Sequence, residues 1–164
     1  MAGTSTHPTD TLRMVVDEVG ACWATETLIV NITGRSVSKA GWDAYVDFVS
    51  PTPQRAFSVL TIAPFASPNA TQRAELVKRA SPMMRRAKRV AVCSESVMAR
   101  AAITAMTWLT LHKVQTRAFS VRDLHAALDW LAQVETFARK EVEAAIFELF
   151  DAVGLDPAAF ALDR

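Results

Sequence analysis

Apolar and polar positions along this chain follow two periods, two residues and about 3.6, and the changes between them mark its elements. Phe57, Val59, Leu60 and Ile62 form a short apolar run rich in β-formers, which predicts a strand covered on both faces. Pro64 ends it, because proline cannot donate to a sheet ladder. Ser67-Pro68 then offers a helix N-cap with proline at the first helical position, and Asn69 with Gln72 offers a second cap. A strand that runs straight into a helix start leaves N–H groups at the sheet's carboxyl edge, where open α/β folds place their sites.

Upstream, LRMVVDEV (Leu12–Val19) predicts a first strand, with Gly20-Ala21-Cys22 turning out of it. TLIVNIT (Thr27–Thr33) predicts a second, broken by Gly34, and the short spacing suits an antiparallel pair. Ser36 or Ser38 can cap a helix whose apolar face is Trp42, Tyr45, Val46 and Val49, closed by Pro51 and Pro53. Downstream of the Phe57–Ala63 strand, a helix is predicted from about Asn69 to Ala87, with Ala70, Ala74, Val77 and Met84 inward and a break at Pro82. RVAVCS (Arg89–Ser94) is the fourth strand, and Ser96 caps a helix over Val97–Leu111 that is apolar almost all round. QTRAFSV (Gln115–Val121) is the fifth. Ser120 and Asp123 cap a helix over Arg122–Ala132, with Leu124, Ala127, Leu128 and Leu131 inward.

A strand followed by a helix recurs four times, which predicts parallel pairing through right-handed crossovers. The expected fold class is α/β, with a mixed, mostly parallel five-stranded sheet. Beyond Gln133 the pattern changes to a long helix, Glu135–Val153, with Val142, Ile146, Leu149, Phe150 and Val153 on its core stripe. Gly154 is placed to cap it with Leu155 as apolar contact, and Asp156-Pro157 starts a last turn. The expected organisation is a disordered stretch over 1–10, an α/β domain over 11–133, and a helical extension over 134–164 docked on that domain or on a second subunit.

The residues TLIVNITGRSVSKAGWDAYVDF, RAFSVLTIAP, KRVAVCSES with its apolar helix, and VQTRAFSVRDLHAALDWL resemble, in pattern and order, the STAS (anti-sigma-factor antagonist) domains. They are most similar to the divergent SpoIIAA-like members, whose fold is likened to lipid-binding Sec14-type domains. The resemblance covers roughly Leu12–Ala132. It implies a regulatory protein-interaction module whose partner is a kinase or other signalling protein. Phosphorylatable members carry Asp-Ser or Asp-Ser-Ser-Gly between the third strand and the next helix. Here that loop reads PFASPNATQ, without acid or glycine, and only Ser67 and Thr71 supply hydroxyls. Ser67 either caps a helix or carries phosphate.

Composition narrows the classes. With 164 residues, 51% hydrophobic and 21% charged, the chain can bury one domain core. A net charge of +1 argues against a general nucleic-acid binder. No apolar stretch approaches the roughly 20 residues of a transmembrane helix, and no secretory signal is visible, so a cytoplasmic location is expected. His7, His112 and His125 are scattered, and Cys22 and Cys93 lie far apart and outside any ligand spacing, so neither metal nor cofactor is expected. Cys93-Ser94-Glu95-Ser96 lies where a nucleophile can be presented, but it lacks the glycines of a nucleophile elbow. No acid, base, nucleophile and orienting group converge, so a non-enzymatic role is expected.

Three surfaces remain as candidates. Between Arg73 and Arg89, seven cations face Glu75 alone, and Lys78, Arg79, Arg85, Arg86, Lys88 and Arg89 form a candidate basic interaction surface. Aromatic residues for base stacking are absent from it. The acidic counterpart is Glu135, Glu141, Glu143, Glu148 and Asp151, which predicts that the two regions meet within one chain or between two. Met98, Met106 and Trp108 can line an apolar pocket between sheet and helices, the basis of an alternative reading as a carrier of lipid or another apolar small molecule. Phe137 and Phe147 lie off the main stripe of the last helix, where they either tuck into their own domain or form a homodimer contact.

Overall fold

The structure is a computed structural model. It describes residues 20–34, 39–40, 43, 47, 56–65, 71, 74–75, 78–79, 82, 85–101 and 114–163, and residues 12–16 in backbone. The expected helix face of Trp42, Tyr45, Val46 and Val49, the loop residue Ser67, the pocket residues Met106 and Trp108, and the N-terminal stretch 1–10 lie outside the described residues.

Six strands form one sheet in sequential order: β1 (Leu12–Val16), β2 (Gly20–Ala24), β3 (Leu28–Thr33), β4 (Phe57–Ile62), β5 (Ala87–Cys93) and β6 (Gln115–Phe119). β1, β2 and β3 pair antiparallel, and β3 to β6 pair parallel. The α/β class with a mixed, mostly parallel sheet therefore holds, with one strand more than expected. The additional strand is β2, where Gly20-Ala21-Cys22 was expected to turn. Glycine, alanine and cysteine signal a strand weakly on their own. Here β2 pairs on both edges, Ala21 with Val15 and Ile32, Cys22 with Met14 and Asn31, and Ala21 and Cys22 are buried. Pairing with two neighbours overrides local propensity. β5 also starts earlier than expected, at Ala87 opposite Phe57, with an irregular register before Val59 and Val90. Arg85 and Arg86 form the turn into it, so no helix runs to Ala87.

After β6, the 3-10 turn Val121–Asp123 leads directly into helix α1 (Leu124–Ala132). Helix α2 (Arg139–Ala152) follows, then a 3-10 turn at Pro157–Phe160. α1 lies over β4, β5 and β6, and α2 over β2 and β3, so the two complete one layer on one face of the sheet. Leu28, Val30, Ile32, Leu60, Ile62, Ala91 and Cys93 point into this layer from the strands. Leu124, Leu128, Leu131, Val142, Ile146, Leu149 and Phe150 meet them from the helices. Helix α2 thus packs on the sheet of its own chain. Phe137 and Phe147 are half-buried against this same core.

α2 begins four residues later than its periodicity implied. Glu135 lies before it, with its side chain only 2% exposed, accepting from Ser58 Oγ at 3.0 Å and from Lys88 Nζ at 3.2 Å. That carboxylate is committed to the amino ends of β4 and β5, and it holds residues 135–138 out of the helix. Arg89 makes a second clasp. It stacks over the Trp130 ring at 4.6 Å from the centroid, donates to the Trp130 carbonyl, and reaches Gln133 Oε1 at 2.8 Å and Gln115 Oε1 at 3.0 Å. On the outside, Arg139 joins α2 to α1 through Asp129 at 2.7 Å and His125 Nδ1 at 3.1 Å, and it also pairs with Glu143 of its own helix at 2.6 Å.

The end of α2 follows the expected cap. Leu155 N–H donates to Phe150 O at 2.9 Å and Gly154 N–H to Asp151 O at 3.1 Å, the two bonds of a Schellman motif, with Gly154 at φ +69°. No heavy atom lies within 4 Å of a Cβ built at Gly154, so a side chain there meets only the left-handed backbone penalty. Gly154→Ala is therefore expected to lose about 1 kcal/mol of stability in chemical denaturation, with an unchanged denaturant slope.

Candidate functional site

The parallel strands end level with one another, because Ala63 N–H donates to Cys93 O at 2.8 Å and Ser94 N–H to Phe119 O at 3.0 Å. Their carboxyl edge carries Ala63-Pro64-Phe65, Ser94-Glu95-Ser96 and Ser120-Val121 side by side. This is the edge at which open parallel sheets place function.

The polar groups here bond to each other. Glu95 accepts from Ser120 Oγ at 2.7 Å and from Val121 N–H at 2.9 Å, with Arg122 Nε at 3.7 Å. The Ser120 hydroxyl holds the Glu95 carboxyl below its usual range; partial burial opposes this, and Val121 N–H and Arg122 reinforce it. A carboxylate at this position neutralises the positive end of the Val121–Ala132 helical run. Ser120 also accepts from Arg122 N–H at 3.3 Å. Ser94 Oγ accepts from Ser96 N–H at 3.3 Å, and the Ser94 carbonyl accepts from the Arg100 guanidinium. Ser96 caps as expected: its hydroxyl accepts from Ala99 N–H at 3.1 Å, at the start of helical residues 97–101.

Neither cysteine is presented as a nucleophile. Cys93 is buried, and burial pushes its thiol up to about 12, with a smaller push from Asp123. Burial alone raises Cys22 to about 12 as well. Both are free thiols held in the unreactive protonated form. Neither should react with a disulfide reagent at pH 8 while the chain is folded, and both should react once it is denatured. Labelling of either in the native state contradicts this placement.

The apolar groups of the same edge are exposed instead. Phe65 is 50% exposed, Val97 67% and Met98 80%. Phe65 leans on Phe160 with ring centroids 5.4 Å apart, and Phe160 on Phe150 at 5.9 Å, so the C-terminal turn supports the edge from below. Met98 was expected to line an internal pocket; it points outward. Of the expected hydroxyls, Thr71 is exposed on a helical stretch.

Three members of the basic run, Arg79, Lys88 and Arg89, are committed to the fold. Lys88 and Arg89 make the two clasps above, and Arg79 pairs with Asp47 and with Glu75 at 3.7 Å. Lys78, Arg85 and Arg86 are exposed. The expected meeting of basic run and acidic extension occurs within one chain, through Lys88 and Glu135. Sequence reasoning missed Glu95 as the group that closes the β5 and β6 loops. Its only signal was position, one turn after a strand end and opposite a serine cap.

Among the described residues no group of three or more His, Cys, Asp or Glu side chains could hold a metal ion, and no helix is long and apolar enough to cross a membrane. Compared with protein-family models, curated proteins and solved structures, the chain matched none.

Proposed function

We propose that the chain is a STAS-like regulatory module that works by binding another protein through the carboxyl edge of its sheet. One observation carries this reading: at that edge Glu95, Ser94, Ser96 and Ser120 are engaged in hydrogen bonds with neighbouring groups of the edge, while Phe65, Val97 and Met98 stand in solvent. The Glu95 carboxyl accepts from Ser120 and Val121 and is held below its usual range, which makes it a weak base for activating the Ser120 hydroxyl. Large apolar side chains just beyond the ends of the adjacent strands β4 and β5, Phe65 on a loop and Val97 and Met98 in the first turn of a helix, have the composition of a contact surface. The sequential parallel order of β3 to β6 supports the resemblance drawn from the sequence.

The test is affinity isolation of the tagged chain from its source cells, beside a Phe65→Glu/Met98→Glu double variant and a Lys140→Glu control on the exposed side of α2. A protein companion retained by the wild type and the control, and lost by the double variant at unchanged melting temperature, is the expected result. A companion profile identical in all three rejects this edge as the contact surface.

A further inference from the structure

The sheet ends at β6. Among the described residues this strand has one neighbour, β5, whereas β2, β3, β4 and β5 each have a strand on both sides. The parallel ladder fixes which of its backbone groups are spent. Phe119 O accepts from Ser94 N–H at 3.0 Å, and in a parallel pair alternate residues turn both backbone groups to the same side. Gln115, Arg117 and Phe119 therefore face β5, and the N–H and C=O of Thr116 and Ala118 face away from the sheet. Among the described residues neither Thr116 nor Ala118 makes a hydrogen bond on that outer side.

The side chains along this flank set its character. Gln115 and Arg117 are exposed, and Thr116 and Ala118 are half-buried. On the face under α1, the Arg117 guanidinium lies over the Phe119 ring at 5.1 Å, and Phe119 in turn meets the half-buried Trp130 ring at 6.0 Å. Among the described residues no carboxylate pairs with Arg117. The flank thus offers two backbone donors, two backbone acceptors and one cation held on an aromatic ring.

A second copy of the chain fits this edge badly. Two β6 strands related by a two-fold axis run antiparallel, and the register that uses every outward group of Thr116 and Ala118 sets one Arg117 directly against the other. Like charges in that position are destabilising. An acidic strand meets the same edge with the charge reversed. We infer that β6 takes up an extended acidic peptide as a further strand, its backbone bonded to Thr116 and Ala118 and a Glu or Asp side chain opposite Arg117. Main-chain bonds supply the affinity. Arg117 guards the edge against a second copy and selects the charge of what binds. This flank lies at the side of the sheet, apart from Phe65, Val97 and Met98, and does not depend on their role.

The probe is a display library of short random peptides selected on the immobilised full chain, after depletion on bare support. Enriched sequences are expected to be rich in β-branched residues around one or more acidic positions. A synthetic peptide of the enriched sequence, titrated by fluorescence polarisation, should bind Ala118→Pro about tenfold or more weakly than wild type. That substitution removes one outward N–H and leaves the ladder bonds to β5 in place. Thr116→Pro provides the same test should the first variant not fold. Arg117→Glu should weaken the peptide about tenfold or more, and selection on the Arg117→Glu chain should enrich basic sequences instead. No enrichment over bare support overturns the inference. Equal affinity for wild type and for folded Ala118→Pro or Arg117→Glu overturns it also. So does a dimer of the unliganded chain in light scattering that Ala118→Pro converts to monomer, since the edge then belongs to a second copy.

Discussion

Glu135→Ala is expected to destabilise the protein by about 2–3 kcal/mol, far more than removal of an ordinary acidic side chain. The carboxylate is almost wholly buried and is the acceptor for Ser58 Oγ, on a residue with no exposure at all. Without it the Ser58 hydroxyl is left buried and unpaired, and this desolvation penalty dominates the loss. Lys88 contributes less, because its side chain is 41% exposed and can turn to water. The melting temperature should fall by roughly 4–12 °C for a chain of this size. Glu135→Gln keeps an acceptor for the serine and should lose less than half as much. A Glu135→Leu/Ser58→Ala double variant should recover part of the loss, since it removes both buried polar groups together. A Glu135→Ala variant within about 0.5 kcal/mol of wild type would show that the carboxylate is not buried in solution.

Phe150→Ala is expected to have the largest effect of any single substitution in α2, about 3–5 kcal/mol. The ring has no exposure, sits in the layer between α2 and the sheet, and contacts Phe160 at 5.9 Å. Its removal leaves a cavity and takes away the support on which Phe160, and through it Phe65, rests. Phe147→Ala, on the same helix with a half-buried ring, should lose less than half as much. Urea denaturation of the pair separates the two placements. Equal losses for both would mean that α2 docks in a different rotation from the one described.

Much of this architecture is legible in the sequence where local chemistry and long-range packing agree. The Phe57–Ile62 strand, the Ser96 cap, the Leu124–Leu131 face and the Gly154 cap each carry a signal that one element alone can satisfy. Legibility fails where a distant partner decides. Gly20–Ala24 is a strand because β1 and β3 flank it, which no propensity of glycine or alanine announces. Residues 135–138 stay out of the helix because Ser58 and Lys88, far away in sequence, claim Glu135. The candidate edge was legible in position, since a strand leading into a capped helix marks it. Its character was not. Whether Glu95 is free or spent on Ser120, and whether Met98 faces a pocket or solvent, follows only from how neighbouring loops meet.

The claim that this edge is a protein-contact surface is tested most directly by site-specific photocrosslinking in the source cells. Benzoylphenylalanine replaces Met98 in one variant and Lys140 in another, and adducts are resolved by gel and mass spectrometry. The account predicts a discrete protein adduct from position 98, none of that mass from position 140, and its loss when Phe65→Glu is added. Absence of any protein adduct from position 98, or the same adduct from both positions, would contradict it.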